Sequence, residues 1–146
     1  MKIRPLEKSD RKIWETFLSE YAEFYKTKVP EGGFDRVWEW IFDPQNDFWC
    51  DVGVADDGTP VGFTQYQLMH RSLSGAMVCY ISDIYVRPEA RGAGGGAAFI
   101  DHVRDFARKR NIPNVRWLTQ EFNYPARRVY DRYAPKTDFI LYSIPA

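Results

Sequence analysis

The residues best suited to chemistry in this 146-residue chain stand together in "YVRPEARGAGGGAAFI", Tyr85 to Ile100. Arg91 precedes Gly92, Ala93, Gly94, Gly95 and Gly96, and an apolar repeat of helical period follows. Glycine is about 1 kcal/mol worse than alanine at an interior helix position, so a glycine-headed helix calls for a compensating partner. The first N–H groups of a helix have no internal acceptor, and the dipole is positive at that end. Glycines let the oxygens of an anion reach the backbone without a Cβ in the way, and Arg91 adds a charge-assisted hydrogen bond. The chemistry these types and spacings offer is phosphate or pyrophosphate binding. The plainer alternative is a flexible turn with a close helix–sheet contact.

Three kinds of phosphate loop compete. A nucleoside-triphosphate loop needs lysine and a hydroxyl residue after its last glycine, and Ala97-Ala98 supply neither. Gly92 to Ala97 does satisfy the dinucleotide pattern G-x-G-x-x-A. That pattern, however, wants its first glycine directly after a strand, and "RPEAR" intervenes. The strands upstream also read as antiparallel, which leaves a third kind of loop.

The elements that position this loop follow from periodicity. "MKIRPL" reads as a strand, and Ser9 as the cap of a helix carrying Ile13, Trp14, Phe17, Leu18, Tyr21 and Phe24 on one face. "FDRVWEWIF" predicts a second, short helix. "DFWCDVGVA", "PVGFTQYQLMH" and "AMVCYISDIYV" predict three strands joined by turns too short for parallel crossovers, hence an antiparallel meander. After the glycines, Phe99, Ile100, Val103, Phe106 and Ala107 mark a helix. "RKRN" ends it with cations at the negative end of its dipole, and Pro113 blocks its continuation. "NVRWLT" is then a strand parallel to the one before the loop. "YPARRVYDRYA" predicts a last helix, Pro135 its stop, and "TDFILYSI" a final strand. The expected architecture is one α/β domain over residues 1–146, with a mixed, mainly antiparallel central sheet flanked by helices.

Composition narrows the function classes. The chain is 45% apolar and 16% aromatic, with 20 basic and 20 acidic residues. A packed core is expected, and nucleic acid is not a favoured partner. Cys50 and Cys79 form no metal-ligand spacing with each other or with His70 and His102, and read as reduced core thiols. No leader or membrane span is evident, so the expected compartment is the cytoplasm.

The loop resembles the acetyl-CoA signature [Q/R]-x-x-G-x-[G/A] of the GNAT superfamily of N-acetyltransferases. Arg91, Gly94 and Gly96 occupy its defining positions, preceded by the family's V-x-P at Val86 and Pro88. Asn123, Ala126 and Tyr130 match the family's N-x-x-A-x-x-x-Y, and the order of elements agrees from first strand to last helix. Within the superfamily the chain resembles the branch acting on small amines: spermidine/spermine, thialysine, and yeast histone or D-amino-acid acetyltransferases. Two departures stand out. The branch's usual Glu-Asp in the central strand is Ser82-Asp83 here, and the chain leaves room for one strand after the last helix where many relatives have two.

The resemblance implies a strand–helix–strand core that binds acetyl-CoA and a chain that forms a homodimer. Arg91, Gly92, Ala93, Gly94, Gly95 and Gly96 would hold the pyrophosphate. The backbone near Ile84 and Val86 would pair with the pantetheine arm as with an added strand. Asn123 would bond a pantetheine amide, or cap the last helix, or both. Tyr130 would donate a proton to the leaving thiolate, unless it is a core aromatic beside Val129 and Tyr133.

Acetyl transfer to an amine also requires a neutral nucleophile. An alkylammonium of pKa about 10.4 lies roughly 4 to 5 kcal/mol from its neutral form at pH 7. A carboxylate, acting directly or through water, can take that proton. Asp83 and Glu121 are the candidates by their strand-end placement. Tyr25, within the aromatic-rich "EYAEFYKTKVPEGGF", is the candidate acceptor contact, in a segment that suits core packing equally well. The expected activity is acetyl-CoA-dependent acetylation of a primary amine on a compact molecule such as an amino acid. A non-catalytic acyl-CoA sensor and a protein lysine or N-terminal acetyltransferase are the alternatives.

Overall fold

Period-two alternation in the first half of the chain produces a meander. In the computed structural model, which describes residues 1–146, β1 (Lys2–Pro5), β2 (Phe48–Val54), β3 (Pro60–Arg71) and β4 (Ala76–Val86) pair antiparallel in chain order. The helix α3 (Gly95–Lys109) then crosses over and returns the chain to β5 (Val115–Trp117), which lies parallel to β4 at the sheet edge. A strand–helix–strand crossover thus closes an otherwise antiparallel sheet, as the sequence predicts.

Helices cover both faces. α1 (Arg11–Phe24) and α2 (Gly33–Phe42) pack on one side, where Trp14, Phe17, Val52, Phe63 and Tyr85 form a buried cluster. Trp14 and Phe17 are wholly buried, and each such side chain stabilises the fold by about 1.5–3 kcal/mol. On the other face, Ile100, Val103 and Ala107 of α3 pack on Tyr66, Cys79 and Ile81, and α4 (Tyr124–Tyr130) adds Val129 and Tyr130. Cys50 and Cys79 are buried and unpaired with each other. No helix is long and apolar enough to cross a membrane.

One irregularity in the sheet matters more than the rest. Gln65 pairs with Asp83 and Tyr66 pairs with Ile81, so Ser82 is an extra residue in β4, a bulge. Bulges bend their strand and break pairing. The β4–β5 ladder accordingly ends at Ile81 opposite Trp117, and β4 runs on to Val86 with no strand beside it on that edge. The interrupted ladder is stabilised from within the sheet: buried Thr64 donates its hydroxyl to the Asp83 carbonyl at 3.0 Å.

Four details depart from the sequence reading. Ser9 does not cap α1. Asp10 shapes that end instead, accepting the Glu7 N–H at 2.8 Å and the Arg4 guanidinium at 2.7 and 3.0 Å. β5 holds three residues, shorter than "NVRWLT", because its partner bends away at the bulge. α4 stops at Tyr130 and finishes in a tight turn in which the Tyr133 N–H donates to the Tyr130 carbonyl at 2.9 Å. Finally, "TDFILYSI" forms no strand. An alternating segment has strand propensity, but a strand exists only against a partner, and in the single chain this one finds none. Phe139, Ile140, Leu141, Tyr142 and Ile144 are consequently 72 to 87% exposed.

Candidate active site

Where β4 and β5 part, a narrow cleft opens. Its walls are Tyr21 and Tyr25 from the end of α1, Ile81 to Ile84 from β4, Trp117 at the end of β5 with Leu118 just after it, and Tyr130 from α4. The free volume inside is about 20 Å³, the scale of a single water. The bulge creates this cleft twice over. It ends the ladder, and it sets Ser82 and Asp83 at the point of divergence.

Asp83 is the only carboxylate among the lining residues. Its Oδ2 accepts from Gln65 Nε2 at 2.6 Å, and the Tyr21 hydroxyl faces the same group. No cation pairs with it. Burial raises its pKa above the ordinary aspartate value, and the Gln65 and Tyr21 contacts oppose that rise only in part. A carboxylate in this condition is a better proton acceptor than a solvated one. Ser82 contributes no charge; its Oγ accepts from Gln67 Nε2 at 3.3 Å.

Across the cleft stands Tyr130. Its ring packs edge-on against Trp117, which also meets Tyr133 at right angles. Burial, reinforced by Tyr25, pushes the Tyr130 phenol above its ordinary value, so it stays protonated at neutral pH. Tyr25 lies against Tyr21 with ring centroids 5.0 Å apart, so the candidate acceptor contact does reach the cleft. Asn123 caps α4, its Oδ1 accepting the Ala126 N–H at 3.4 Å, which leaves its amide NH₂ free to donate elsewhere.

The glycine loop forms one end of the same region. Gly92 and Gly94 take φ of 85° and 82°, and Gly94 caps α3 in the left-handed conformation that side chains resist. The N–H groups from Gly92 to Ala97 donate to no backbone carbonyl. Arg91 folds back so that its Nε donates to the Val86 carbonyl at 2.8 Å, which fixes the guanidinium at the end of β4. The Tyr133 hydroxyl donates to the Ala97 carbonyl at 3.1 Å, tying the turn after α4 to the first turn of α3. Ile84 therefore borders the cleft, and two residues along the same β4 edge Val86 meets Arg91 and Gly95 of the loop.

Glu121 does not join them. It lies exposed in the turn before α4, where its carbonyl accepts from Arg127 at 2.6 Å, and it is not among the cleft residues. A wider groove of about 470 Å³, lined by Lys8, Trp38, Glu39, Trp40, Phe42 and Asp43, sits at α2, away from the glycine loop. Sequence reasoning gave Gln65 and Trp117 no place in the site and read Trp14 and Tyr21 only as the apolar face of α1. Gln65 did leave a signal: a long polar side chain between Thr64 and Tyr66 in the middle of β3, where every residue from Gly62 to Tyr66 is buried.

The fold is that of an N-acetyltransferase. The acetyltransferase (GNAT) family pattern matches residues 14–134, and the chain belongs to that family. Its members generally take the acetyl group from acetyl-CoA. The chain is 30% identical over 141 residues to a D-amino-acid N-acetyltransferase of Saccharomyces cerevisiae, covering 96% of this chain and 88% of that one. It is 25% identical to an uncharacterised N-acetyltransferase of Bacillus subtilis, over 100% of this chain and 99% of the other. The crystal structure of a probable acetyltransferase superposes with a TM-score of 0.85 at 24% identity, over 100% and 98% of the two chains.

Proposed function

We propose that this N-acetyltransferase moves the acetyl group of acetyl-CoA to the primary amine of a compact, amino-acid-sized acceptor. The observation that carries the reading is Asp83: the one carboxylate lining the cleft, half-buried and without a cationic partner, set among the rings of Tyr21, Tyr25, Trp117 and Tyr130. Such a setting suits one ammonium, held by charge and by the aromatic faces. A second charge on the acceptor would find no second carboxylate there. The Saccharomyces cerevisiae relative named for D-amino acids supports the same class of acceptor.

The β4 edge between loop and cleft suits the donor. The free N–H groups from Gly92 to Ala97 and the fixed guanidinium of Arg91 fit a pyrophosphate. The edge of β4 from Ile84 to Val86, which has no strand beside it, fits a pantetheine arm, and the free Asn123 NH₂ fits one of its carbonyls. Asp83 first takes the ammonium proton and passes it to solvent; the neutral nitrogen then attacks the thioester carbonyl carbon, and the second proton it sheds goes to Asp83 in turn. The C–S bond then breaks, and Tyr130 gives its proton to the thiolate. Products are the amide and free CoA thiol, and solvent restores both side chains.

The test is free-thiol release with acetyl-CoA and a panel of D- and L-alanine, D- and L-leucine, ethanolamine, spermine and a histone tail peptide. An amino-acid-sized amine should rank first in kcat/KM. Spermine or the peptide ahead tenfold, about 1.4 kcal/mol in transition-state terms, would overturn the acceptor class. No thiol release with any amine would favour an acyl-CoA sensor. We read residues 1–146 as one catalytic domain of the cytoplasm, where the free thiols of Cys50 and Cys79 stay reduced. We also propose a homodimer, supported by the exposed apolar run from Phe139 to Ile144, which a second copy would cover.

A further inference from the structure

Gln65 has no part in the transfer as described, yet its side chain is 1% exposed and hydrogen-bonded at both ends of the amide. Its Oε1 accepts from the indole Nε1 of Trp14 at 2.9 Å, and its Nε2 donates to Asp83 Oδ2 at 2.6 Å. Trp14 is itself wholly buried at the centre of the α1 face. An indole nitrogen can only donate, whereas an amide has one accepting and one donating end. Trp14 therefore decides which end of Gln65 meets Asp83, and the end that meets it always donates.

We infer that Gln65, its amide locked by Trp14, is a positioning residue that occupies Oδ2 of Asp83 and so makes Oδ1 the oxygen that takes the proton. A proton on Oδ2 would point at the Gln65 N–H, donor against donor. The lock also fixes the carboxylate rotamer and favours its ionised form against desolvation. The other groups facing Asp83 do not replace this contact. They are the Tyr21 hydroxyl from α1, Tyr80 on its own strand and the Cys50 thiol from β2, all neutral at pH 7, with Tyr25 and Tyr130 completing the cleft. Every buried side-chain nitrogen and oxygen in the protein has a hydrogen-bond partner, so loss of one member exposes the next to an unmet demand.

The inference rests on Asp83 as the proton acceptor, and the test separates the two. Carboxyl-¹³C NMR titration follows Asp83 in the free protein, independent of turnover, in wild type, Gln65→Met, Trp14→Phe and the double variant. Gln65→Met keeps length and removes the donor; the Asp83 midpoint should rise by about one pH unit, the scale of one hydrogen bond to a charged group. Trp14→Phe should raise it less, by freeing the amide to turn, and should add nothing in the Gln65→Met background. In parallel, the acidic limb of kcat/KM for the highest-ranked amine should move up with the midpoint, while KM for acetyl-CoA holds. If Gln65→Met does not fold, Gln65→Glu takes its place and should shift the midpoint upward as well. An unmoved midpoint overturns the positioning role, and a Trp14→Phe effect that persists in the double variant overturns the lock. Asp83→Asn with full activity would instead place the failure in the proton-acceptor reading.

Discussion

Tyr130 stands edge-on to Trp117, ring centroids 5.5 Å apart and planes inclined at 68°. The ring is thus held by packing, and its hydroxyl is not needed for that hold. Tyr130→Phe should fold as wild type does and lose the proton donor alone. General acid catalysis contributes about 10²- to 10⁴-fold, so kcat should fall within that range while KM for acetyl-CoA changes little. Steady-state kinetics at saturating amine measure it, and a variant within about threefold of wild type would leave Tyr130 as packing.

Gly96 offers a clean probe of the glycine loop. A Cβ there meets no atom within 4 Å and the backbone has no positive φ, so Gly96→Asp should fold. Its carboxylate would sit where the free N–H groups converge, repelling an anion by charge and by bulk. Calorimetric titration should show CoA affinity reduced at least tenfold. Gly94→Asp should be worse in two ways, since φ of 82° also strains the folded backbone. Unchanged affinity in folded Gly96→Asp would remove the loop from the coenzyme site.

Burial of Asp83 gives a pH signature in stability as well as in rate. Its native pKa is raised by desolvation, so the folded state binds the proton more tightly than the unfolded chain does. That contribution is fully present below the unfolded value of about 3.9 and is lost as pH rises through the raised native value. At pH 7 the protein therefore carries a buried charge that Asp83→Asn lacks. The variant should melt a few degrees higher at pH 7, with the gap closing toward pH 4, and should lose most of its activity. Thermal unfolding across that range decides; a variant less stable than wild type at pH 7 would contradict the sign.

Deletion of residues 137–146 tests the proposed dimer. The apolar run from Phe139 to Ile144 makes no strand within its own chain, so its removal should leave the sheet and cleft folded. The full chain should sediment as a dimer at micromolar concentration and the shortened one as a monomer. A monomeric full chain would end the proposal.

The glycine loop and the α4 motif were legible because their demands are local. A left-handed cap needs glycine at Gly94, a helix start needs a side chain such as Asn123, and both are met within a few residues of chain. The meander and the crossover were legible for the same reason, since turn length and apolar period are properties of short segments. Ser9 against Asp10 shows the limit of such reasoning. Both residues are able to cap, and the choice fell to Arg4, brought alongside by β1.

The site itself was decided by tertiary structure. Nothing in "YISDIYV" says that Ser82 is an added residue, because a bulge exists only relative to the partner strand, here at Gln65 and Tyr66. That single shift opens the cleft, buries Asp83 and separates it from Glu121, its equal in sequence terms. Trp14 and Gln65 meet across 51 positions of chain, a contact that no local pattern encodes. The tail shows the converse: "TDFILYSI" has the alternation of a strand, yet alternation fixes only which side chains share a face. Whether a strand forms depends on finding a partner edge, which is a property of the folded assembly and not of the segment.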